Sequence, residues 1–351
     1  MIAAHSPAPT DLDELLSPAW LTSALGKRFP GLVVGEATVV ERLETLATKV
    51  RFTVTYAETA GHDVTHALCV KGYFSEAGAA WASLGSREAR FYADLAPELP
   101  IQVPTALHTG IDPSNHHGVV IMEDLVAKGA TFLTALSPYG PDQVAATLEL
   151  LASLHASHWN DADLQSAAWL APTFAGYANV MPDEDLDVLL DGPRGAGIPT
   201  EVRQARRLKS GLAALARRQA RGPSCLVHAD AHAGNLYESA DGRPGLIDWQ
   251  IYQFAQWSID VAYHVAAVLD PSDRERTERD LLCHYLERLV AAGVEAPRVD
   301  DAWDDYRASL VYGYYLWAIT RKVDEAITLE FNRRLGTAVT AHESLDLCQQ
   351  A

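Results

Sequence analysis

Residues 225–250 read CLVHADAHAGNLYESADGRPGLIDWQ, a short apolar strand, a polar loop and a second apolar strand between helical segments. Polar side chains stand where these strands end: Asp230 and Asn235 follow the first strand, and Asp248 follows the second. A strand end holds such groups rigidly while leaving their oxygen atoms accessible to a ligand. The sequence therefore predicts a reactive site in this segment.

These three residues form the set that phosphoryl transfer requires. A carboxylate must orient an incoming hydroxyl group and accept its proton, and Asp230 suits that role. A hard cation that bridges phosphates prefers oxygen ligands, and Mg²⁺ usually takes only one or two protein carboxylates beside phosphate oxygens and water. We therefore expect Asn235 and Asp248 to hold Mg²⁺.

The segment resembles the His-Gly-Asp-x-x-x-x-Asn catalytic loop and the following metal-binding Asp of aminoglycoside phosphotransferases and choline kinases. The spacing from Asp230 to Asn235 is that of the family motif. Residues 247–250 (IDWQ) and 257–263 (WSIDVAY) are most similar to the ecdysteroid-kinase-like branch. The resemblance spans residues 34–268 and implies an ATP-dependent kinase that phosphorylates a hydroxyl group of a small molecule.

Further residues of the family's nucleotide site occur in family order. The resemblance implies that Lys71, on a predicted strand, contacts the α- and β-phosphates of ATP. Glu88 in the next helical segment would pair with Lys71, and Glu76 is the alternative partner. The hinge would include Glu123 and Leu125 and would border the adenine.

The catalytic loop would be braced by His228 and Asp260, as the resemblance implies. A simpler interpretation of Asp260 is that it caps the apolar helical segment that follows it. Ala229 occupies the position of the usual glycine in the loop, and its side chain restricts the backbone angles more than glycine does.

The phosphate-covering loop of the family corresponds to residues 43–49, LETLATK, which contain no glycine. Glycine permits close approach of backbone to phosphate, so this loop departs from the family pattern. Thr48 is the residue expected to donate a hydroxyl group to the nucleotide instead.

The first 125 residues carry strand signals with one main helical segment. Alternating or β-branched runs predict an antiparallel sheet, and a helical pattern precedes it at residues 11–25 and interrupts it at 75–95. The predicted strands cover residues 32–40, 50–56, 66–74, 105–110 and 119–123.

After residue 125 the apolar period is mostly helical. The predicted helices cover residues 143–158, 199–221, 259–269, 274–292 and 303–335. We therefore expect an α+β, bilobal protein-kinase-like fold. Residues 1–125 would form the nucleotide-binding lobe, and residues 126–351 a helical lobe with the catalytic loop and the acceptor site.

Composition restricts the partners. The net charge of −18, from 46 acidic and 28 basic residues, argues against a general nucleic-acid or anionic-membrane surface. The four cysteines are widely spaced and predict neither a zinc site nor a disulfide framework. With no basic and apolar leader pattern at the start and no membrane-spanning apolar run, we expect a cytoplasmic enzyme of a small hydroxylated substrate. Its oligomeric state stays open.

Two other functions compete with the kinase. His228, Asp230 and His232 alternate, and on a strand they would share one face, as in the metal site of a hydrolase. The glycine-free loop suggests instead an inactive, kinase-like module that binds nucleotide without turnover.

The sequence does not name the acceptor. The aromatic residues of the segment 306–317 are expected to be core, although such rings could line a pocket for a flat apolar alcohol. The acidic stretches 183–191 and 300–305 could instead form a carboxylate-lined cleft for a polycationic sugar.

Overall fold

The chain divides into two compact units. The computed structural model describes residues 8–350, without the side chains of Ala77, Phe174 and Ala175. Of the described residues, the first unit comprises 8–99, 103–131 and 247–251. The second comprises 100–102, 132–246 and 252–350. Residues 1–7, in which the sequence shows no leader pattern, lie outside the described residues.

An antiparallel sheet forms the centre of the first unit. Its described strands occur in the spatial order β1-β2-β3-β5-β4, so sequential strands pair except where β5 is placed beside β3. The strands are β1 (Val33–Glu44), β2 (Thr48–Glu58), β3 (Ala67–Gly72), β4 (Ala106–Ile111) and β5 (Gly118–Glu123). The predicted sheet is thus confirmed strand by strand, and its buried face carries alternating residues such as Val50, Phe52 and Val54.

Short helices accompany this sheet. They are α1 (Leu12–Leu15), α2 (Pro18–Leu25), α3 (Glu76–Ala79) and α4 (Ala82–Arg90), and α4 continues as a π-helical turn over Phe91–Leu95. The single helix expected for residues 11–25 is wrong, because Ser17 caps a new helix with Pro18 at its first position.

The contact between α4 and β5 depends on two glycines. A Cβ atom built on Gly118 would lie 2.2 Å from the backbone of Gly85, far below contact distance. Only residues without side chains allow the helix and the strand to approach this closely. This approach places α4, and with it Glu88, against the sheet.

Helices dominate the second unit. The remaining described strands are β6 (Thr131–Phe132), β7 (Ser224–Val227), β8 (Leu236–Glu238), β9 (Pro244–Leu246) and β10 (Gln253–Gln256). Its helices are α5 (Pro141–Ser157), α6 (Ala162–Ser166), α7 (Phe174–Tyr177), α8 (Asp183–Asp191), α9 (Ala205–Gln219), α10 (Ser258–Val268), α11 (Pro271–Ala291), α12 (Val299–Ile319), α13 (Glu325–Ala341) and α14 (Ser344–Gln349).

Two sequence predictions need correction here. The continuous helix expected for residues 303–335 is divided, because α12 ends at Ile319 and Asp324 caps α13 by accepting hydrogen bonds from the N–H groups of Ala326 and Ile327. A strand, a loop and a second strand were expected for residues 225–250, but this segment contains three strands, β7, β8 and β9. β8 pairs with β9, whereas β7 pairs with β10, which follows the segment.

Two further findings concern the whole described chain. Cys69, Cys225, Cys283 and Cys348 are all free thiols. Between residues 8 and 350, no helix combines the length and the apolar character needed to cross a membrane.

Candidate active site

In the first unit, Lys71 is the centre of an ion-pair cluster. Its Nζ lies 2.7 Å from Glu88 Oε2 and 2.7 Å from Asp248 Oδ1. Lys71 comes from β3 and Glu88 from α4, and both are buried. The structure therefore pairs Lys71 with Glu88, and the alternative partner Glu76 is exposed.

Burial and charge act in opposite directions in this cluster. Burial disfavours the charged form of Lys71, but Asp248 and Glu88 outweigh it and raise the pKa of Lys71. Burial likewise opposes ionisation of Asp248, but Lys71 and Lys49 hold its pKa below the usual range. Burial raises the pKa of Glu88 despite the charge of Lys71. The cluster keeps Asp248 ionised, as a cation ligand must be.

The two residues that follow Asp248 anchor residues 247–251 within the first unit. The backbone N–H of Trp249 donates to Glu88 Oε1 at 3.2 Å, and the indole stacks on Phe91 with ring centroids 4.0 Å apart. The hydroxyl of Tyr73 donates to Gln250 Oε1. Asp248 itself has a φ of 67°, which turns the chain sharply at this residue.

Lys49 also belongs to this cluster, although its sequence context did not reveal it. It lies on β2 directly opposite Lys71 on β3. Its Nζ is 3.3 Å from Asp248 Oδ2, so each carboxylate oxygen of Asp248 faces one ammonium group. The strand register that creates this pair is not readable from either lysine alone.

The other expected nucleotide residues lie at strand ends of the same unit. Thr48 is the buried first residue of β2, and Glu123 ends β5 and pairs with Lys128. Leu125 follows in the turn after β5. Between them, the buried Asp124 pairs with Arg51 Nε at 3.0 Å and accepts a hydrogen bond from Val126 N, which fixes the turn.

In the second unit, the expected base and one expected metal ligand are in contact. Asn235 Nδ2 donates to Asp230 Oδ2 at 3.0 Å and to the Asp230 carbonyl oxygen at 2.9 Å. The amide nitrogen is thus engaged, and the carbonyl oxygen of Asn235 is the atom suited to a cation. The Asp230 side chain keeps 22% of its surface exposed and can therefore meet a substrate.

The loop that holds Asp230 is braced from below by Asp260. The carboxylate of Asp260 accepts hydrogen bonds from the backbone N–H groups of His228 and Ala229, each at 2.7 Å. It also lies 3.1 Å from His155 Nε2. The capping interpretation of Asp260 is wrong, because its carboxylate serves the loop and not the start of α10. His228 Nδ1 in turn accepts from Asp230 N at 3.2 Å.

Two further side chains reach Asp230 Oδ1. The hydroxyl of Tyr263 donates to it at 3.2 Å, and His232 Nε2 lies 3.5 Å away. Gly234 N donates to His232 Nδ1, so a neutral His232 carries its proton on Nε2, on the side of Asp230. Burial, together with the charge of Asp230, raises the pKa of Tyr263 and keeps it a donor. The role of Tyr263 was missed in the sequence, where it was only part of a branch motif.

The geometry disfavours the hydrolase site. β7 ends at Val227, so His228, Asp230 and His232 do not alternate along a strand. Across the described chain, no group of three or more His, Cys, Asp or Glu residues is arranged to hold a metal ion. The sequence instead predicts oxygen donors for a hard cation, Asp248 in the first unit and Asn235 in the second, and both oxygens of Asp248 face ammonium groups.

Most residues considered for an acceptor pocket, the aromatic rings of α12 and the acidic stretches, are buried in the core or paired with basic side chains. Tyr312, Tyr314 and Tyr315 are fully buried in α12, as expected for core rings. The acidic stretches are partly neutralised, since Asp183 pairs with Lys209 at 2.5 Å and Asp305 pairs with Arg218 at 2.8 Å.

A model of a known protein family matches most of this sequence. The family model named APH, described as a phosphotransferase enzyme family, matches residues 63–308. Among curated proteins no match was found.

Solved structures show the same fold. Choline kinase LicA from Streptococcus pneumoniae is 14% identical with a TM-score of 0.51, and covers 91% of this chain and 98% of its own. LicA in complex with AMP is 15% identical with a TM-score of 0.51, and the match covers 89% of this chain and 94% of LicA. An ethanolamine kinase from Plasmodium vivax is 12% identical with a TM-score of 0.52, and the match covers 93% of this chain and 88% of that kinase. These likenesses confirm the expected α+β kinase-like fold.

Proposed function

Because the chain belongs to the phosphotransferase enzyme family, we propose that it transfers the γ-phosphoryl group of ATP to a hydroxyl group of a small molecule. The observation that carries this proposal is the buried Lys71–Glu88 pair with Asp248 bound to the same ammonium group. A lysine held by one helix glutamate beside a metal-binding aspartate is the arrangement that positions nucleotide phosphates in kinases.

In the proposed reaction, Asp230 orients the acceptor hydroxyl and takes its proton. The acceptor oxygen forms the new bond to the γ-phosphorus, the bond from that phosphorus to the β,γ-bridging oxygen breaks, and ADP leaves with the electron pair. Asn235 and Tyr263 hold the Asp230 carboxylate in one orientation. Catalysis then consists mainly of positioning and charge neutralisation.

Asp248 and Asn235 would hold Mg²⁺, which supplies charge neutralisation on the phosphate oxygens. Lys71 places the α- and β-phosphates, and Thr48 donates its hydroxyl group to them. Glu123 and Leu125 border the adenine. These roles rest on the family motif together with the positions described above.

Three broader assignments accompany this proposal. Residues 1–125 would be the nucleotide-binding lobe, and residues 126–351 the lobe with the catalytic loop and the acceptor site. The sequences IDWQ at 247–250 and WSIDVAY at 257–263 support placement near the ecdysteroid-kinase-like branch. The four free thiols favour a reducing compartment, the cytoplasm.

The first test is the thermal unfolding midpoint with ATP, with and without Mg²⁺. A ligand that binds only the native state adds about 2.7 kcal/mol of stability at about 100 times its Kd. We expect a Mg²⁺-dependent rise in the parent protein that Asp248→Ala loses. Asp241→Ala is the matched control, because it removes an exposed aspartate from the same segment and should keep the rise.

The second test is ADP release with a panel of hydroxylated acceptors. An acceptor-dependent release that Asp230→Asn abolishes would support the kinase. Nucleotide binding without release for any acceptor would favour the inactive module. Stabilisation by Zn²⁺ alone, with none by nucleotide, would contradict the proposed function and favour the hydrolase.

A further inference from the structure

The turn that should cover the phosphates uses its own donors internally. It joins β1 to β2 at residues 45–47 and has no glycine. Thr45 donates both its backbone N–H and its hydroxyl group to the Ala47 carbonyl, at 3.0 and 3.1 Å. Backbone N–H groups of a glycine-bearing turn are the usual phosphate donors, so this turn lacks part of the expected positive potential.

A lysine directly after the turn can replace that potential. Lys49 lies opposite Lys71 in the register of β2 and β3. Like charges opposite each other on antiparallel strands are destabilising unless another group compensates them. Asp248 compensates them here, with one oxygen on each ammonium group, so the β2–β3 ladder keeps two cations on one side of the sheet.

The two lysines differ in how firmly they are held. Lys71 is buried, and two carboxylates lie 2.7 Å from its Nζ. Lys49 makes the longer contact with Asp248, 3.3 Å, and its side chain keeps 29% of its surface exposed. Lys49 can therefore turn from Asp248 to a ligand, whereas Lys71 is fixed.

We propose that Lys49 is a second phosphate-binding cation of the nucleotide site, which supplies the charge that a glycine-bearing turn supplies through its backbone. This inference rests on the proposed function. Asp248 would hold a divalent cation through its carboxylate oxygens, and Lys49 would then take the phosphate oxygens of the nucleotide as its anionic partners.

The test compares a ligand that has phosphates with one that has none. Affinities for MgATP and for adenosine are measured by calorimetry with the parent, Lys49→Gln, Lys49→Arg and Arg42→Gln. Arg42→Gln is the matched control, because this substitution also removes one positive charge from the same hairpin. Arg42 pairs with Glu44 at an exposed site. Unfolding midpoints without ligand are recorded for all four proteins.

We expect Lys49→Gln to weaken MgATP binding about tenfold, the usual size for the loss of one charged hydrogen bond, with adenosine affinity unchanged. Lys49→Arg should restore most of the affinity, and Arg42→Gln should leave both ligands unaffected. Unchanged MgATP affinity in Lys49→Gln would overturn the proposal while leaving the proposed function intact. Equal weakening of both ligands would also overturn it, since that result indicates a structural role. A parent that binds neither ligand would overturn the proposed function itself.

Discussion

The carboxylate of Asp230 is held from three directions within the second unit. Asn235 donates to one oxygen, Tyr263 donates to the other, and His232 lies beside the second oxygen. These contacts restrict rotation of the side chain while its exposed edge can meet an acceptor. In its proposed role as base, an Asp230 oriented before substrate binds would lose little freedom during the reaction.

Asp230→Asn should reduce turnover by about 10²-fold or more, because an amide cannot accept the proton of the hydroxyl group. Nucleotide affinity should hardly change, because Asp230 is assigned to the acceptor and not to the phosphates. Steady-state kinetics and calorimetry with MgATP measure the two quantities. Turnover equal to that of the parent would refute the role of Asp230.

Ala229 shows how far the sequence could be interpreted at the level of one residue. Its φ is 65°, in the left-handed region that the glycine of the motif adopts without strain. The sequence predicts that the alanine side chain restricts the backbone angles here, and the structure shows the hydrogen bonds that hold the backbone in this conformation. Asp260 binds the N–H of Ala229, and the hydroxyl of Tyr312 donates to its carbonyl oxygen at 2.8 Å.

Among the elements, α10 organises the catalytic loop. Asp260, Tyr263 and His264 lie at positions i, i+3 and i+4 and therefore on one face of the helix. Asp260 accepts from the N–H groups of His228 and Ala229, Tyr263 donates to Asp230, and His264 Nδ1 donates to the Ala231 carbonyl oxygen at 2.9 Å. One helix thus fixes both sides of Asp230.

Asp260→Asn should lower the free energy of unfolding by about 2–3 kcal/mol, since an amide cannot accept from both buried N–H groups. Urea unfolding measures the change. Asp270→Asn is the control, because asparagine is as good a helix cap as aspartate and the change should stay within about 0.5 kcal/mol. Equal effects at both sites would contradict the bracing role.

The closeness of α4 and β5 gives a second prediction for an element. Gly118→Ala would place a methyl group against the backbone of Gly85 and push the helix from the sheet. We expect a loss of about 1–3 kcal/mol in urea unfolding. Gly140→Ala, where a Cβ meets nothing within 4 Å, should cost less than about 1 kcal/mol. A stable Gly118→Ala protein with parent-like unfolding would show that the helix can move without cost.

At the scale of the whole molecule, the chain returns to its first unit after residue 246 to supply residues 247–251. Trp249 is fully buried there and stacks on Phe91, so the first unit is incomplete without a segment far along the chain. Trp249→Ala should cost about 3–5 kcal/mol of unfolding free energy. Trp81→Ala, at a tryptophan that is 42% exposed, should cost under about 1 kcal/mol. Similar losses at the two sites would contradict this account.

Two buried histidines should make stability depend on pH. Burial lowers the pKa of His108 in the first unit and of His264 in the second to about 4. In the unfolded chain they would titrate near pH 6.5, so the unfolded state binds more protons between pH 6.5 and pH 4. Stability should therefore fall as pH is lowered through that window, by up to about 3 kcal/mol for each histidine.

His264→Asn keeps a donor for the Ala231 carbonyl oxygen but has no group that titrates in this window. Urea unfolding between pH 7 and pH 4 should show a smaller decline for this variant than for the parent, with His116→Asn, at an exposed histidine, as the control. A decline of parent size in His264→Asn would refute the assignment.

The sequence by itself determined the five strands of the first unit, the main helices of the second, the spacing of the family motif, and the family. These properties depend on residues close together in the chain, where periodicity and motif spacing act. The break before α13 and the split of residues 11–25 were missed, because a cap or a proline competes locally with a continuous apolar pattern. Only the tertiary structure placed Lys49 beside Asp248, Tyr263 beside Asp230 and Trp249 on Phe91. Those contacts join residues far apart in sequence. They depend on the register of the strands, on the closeness of α4 to β5 and on the face that α10 presents, and a local sequence pattern contains none of these.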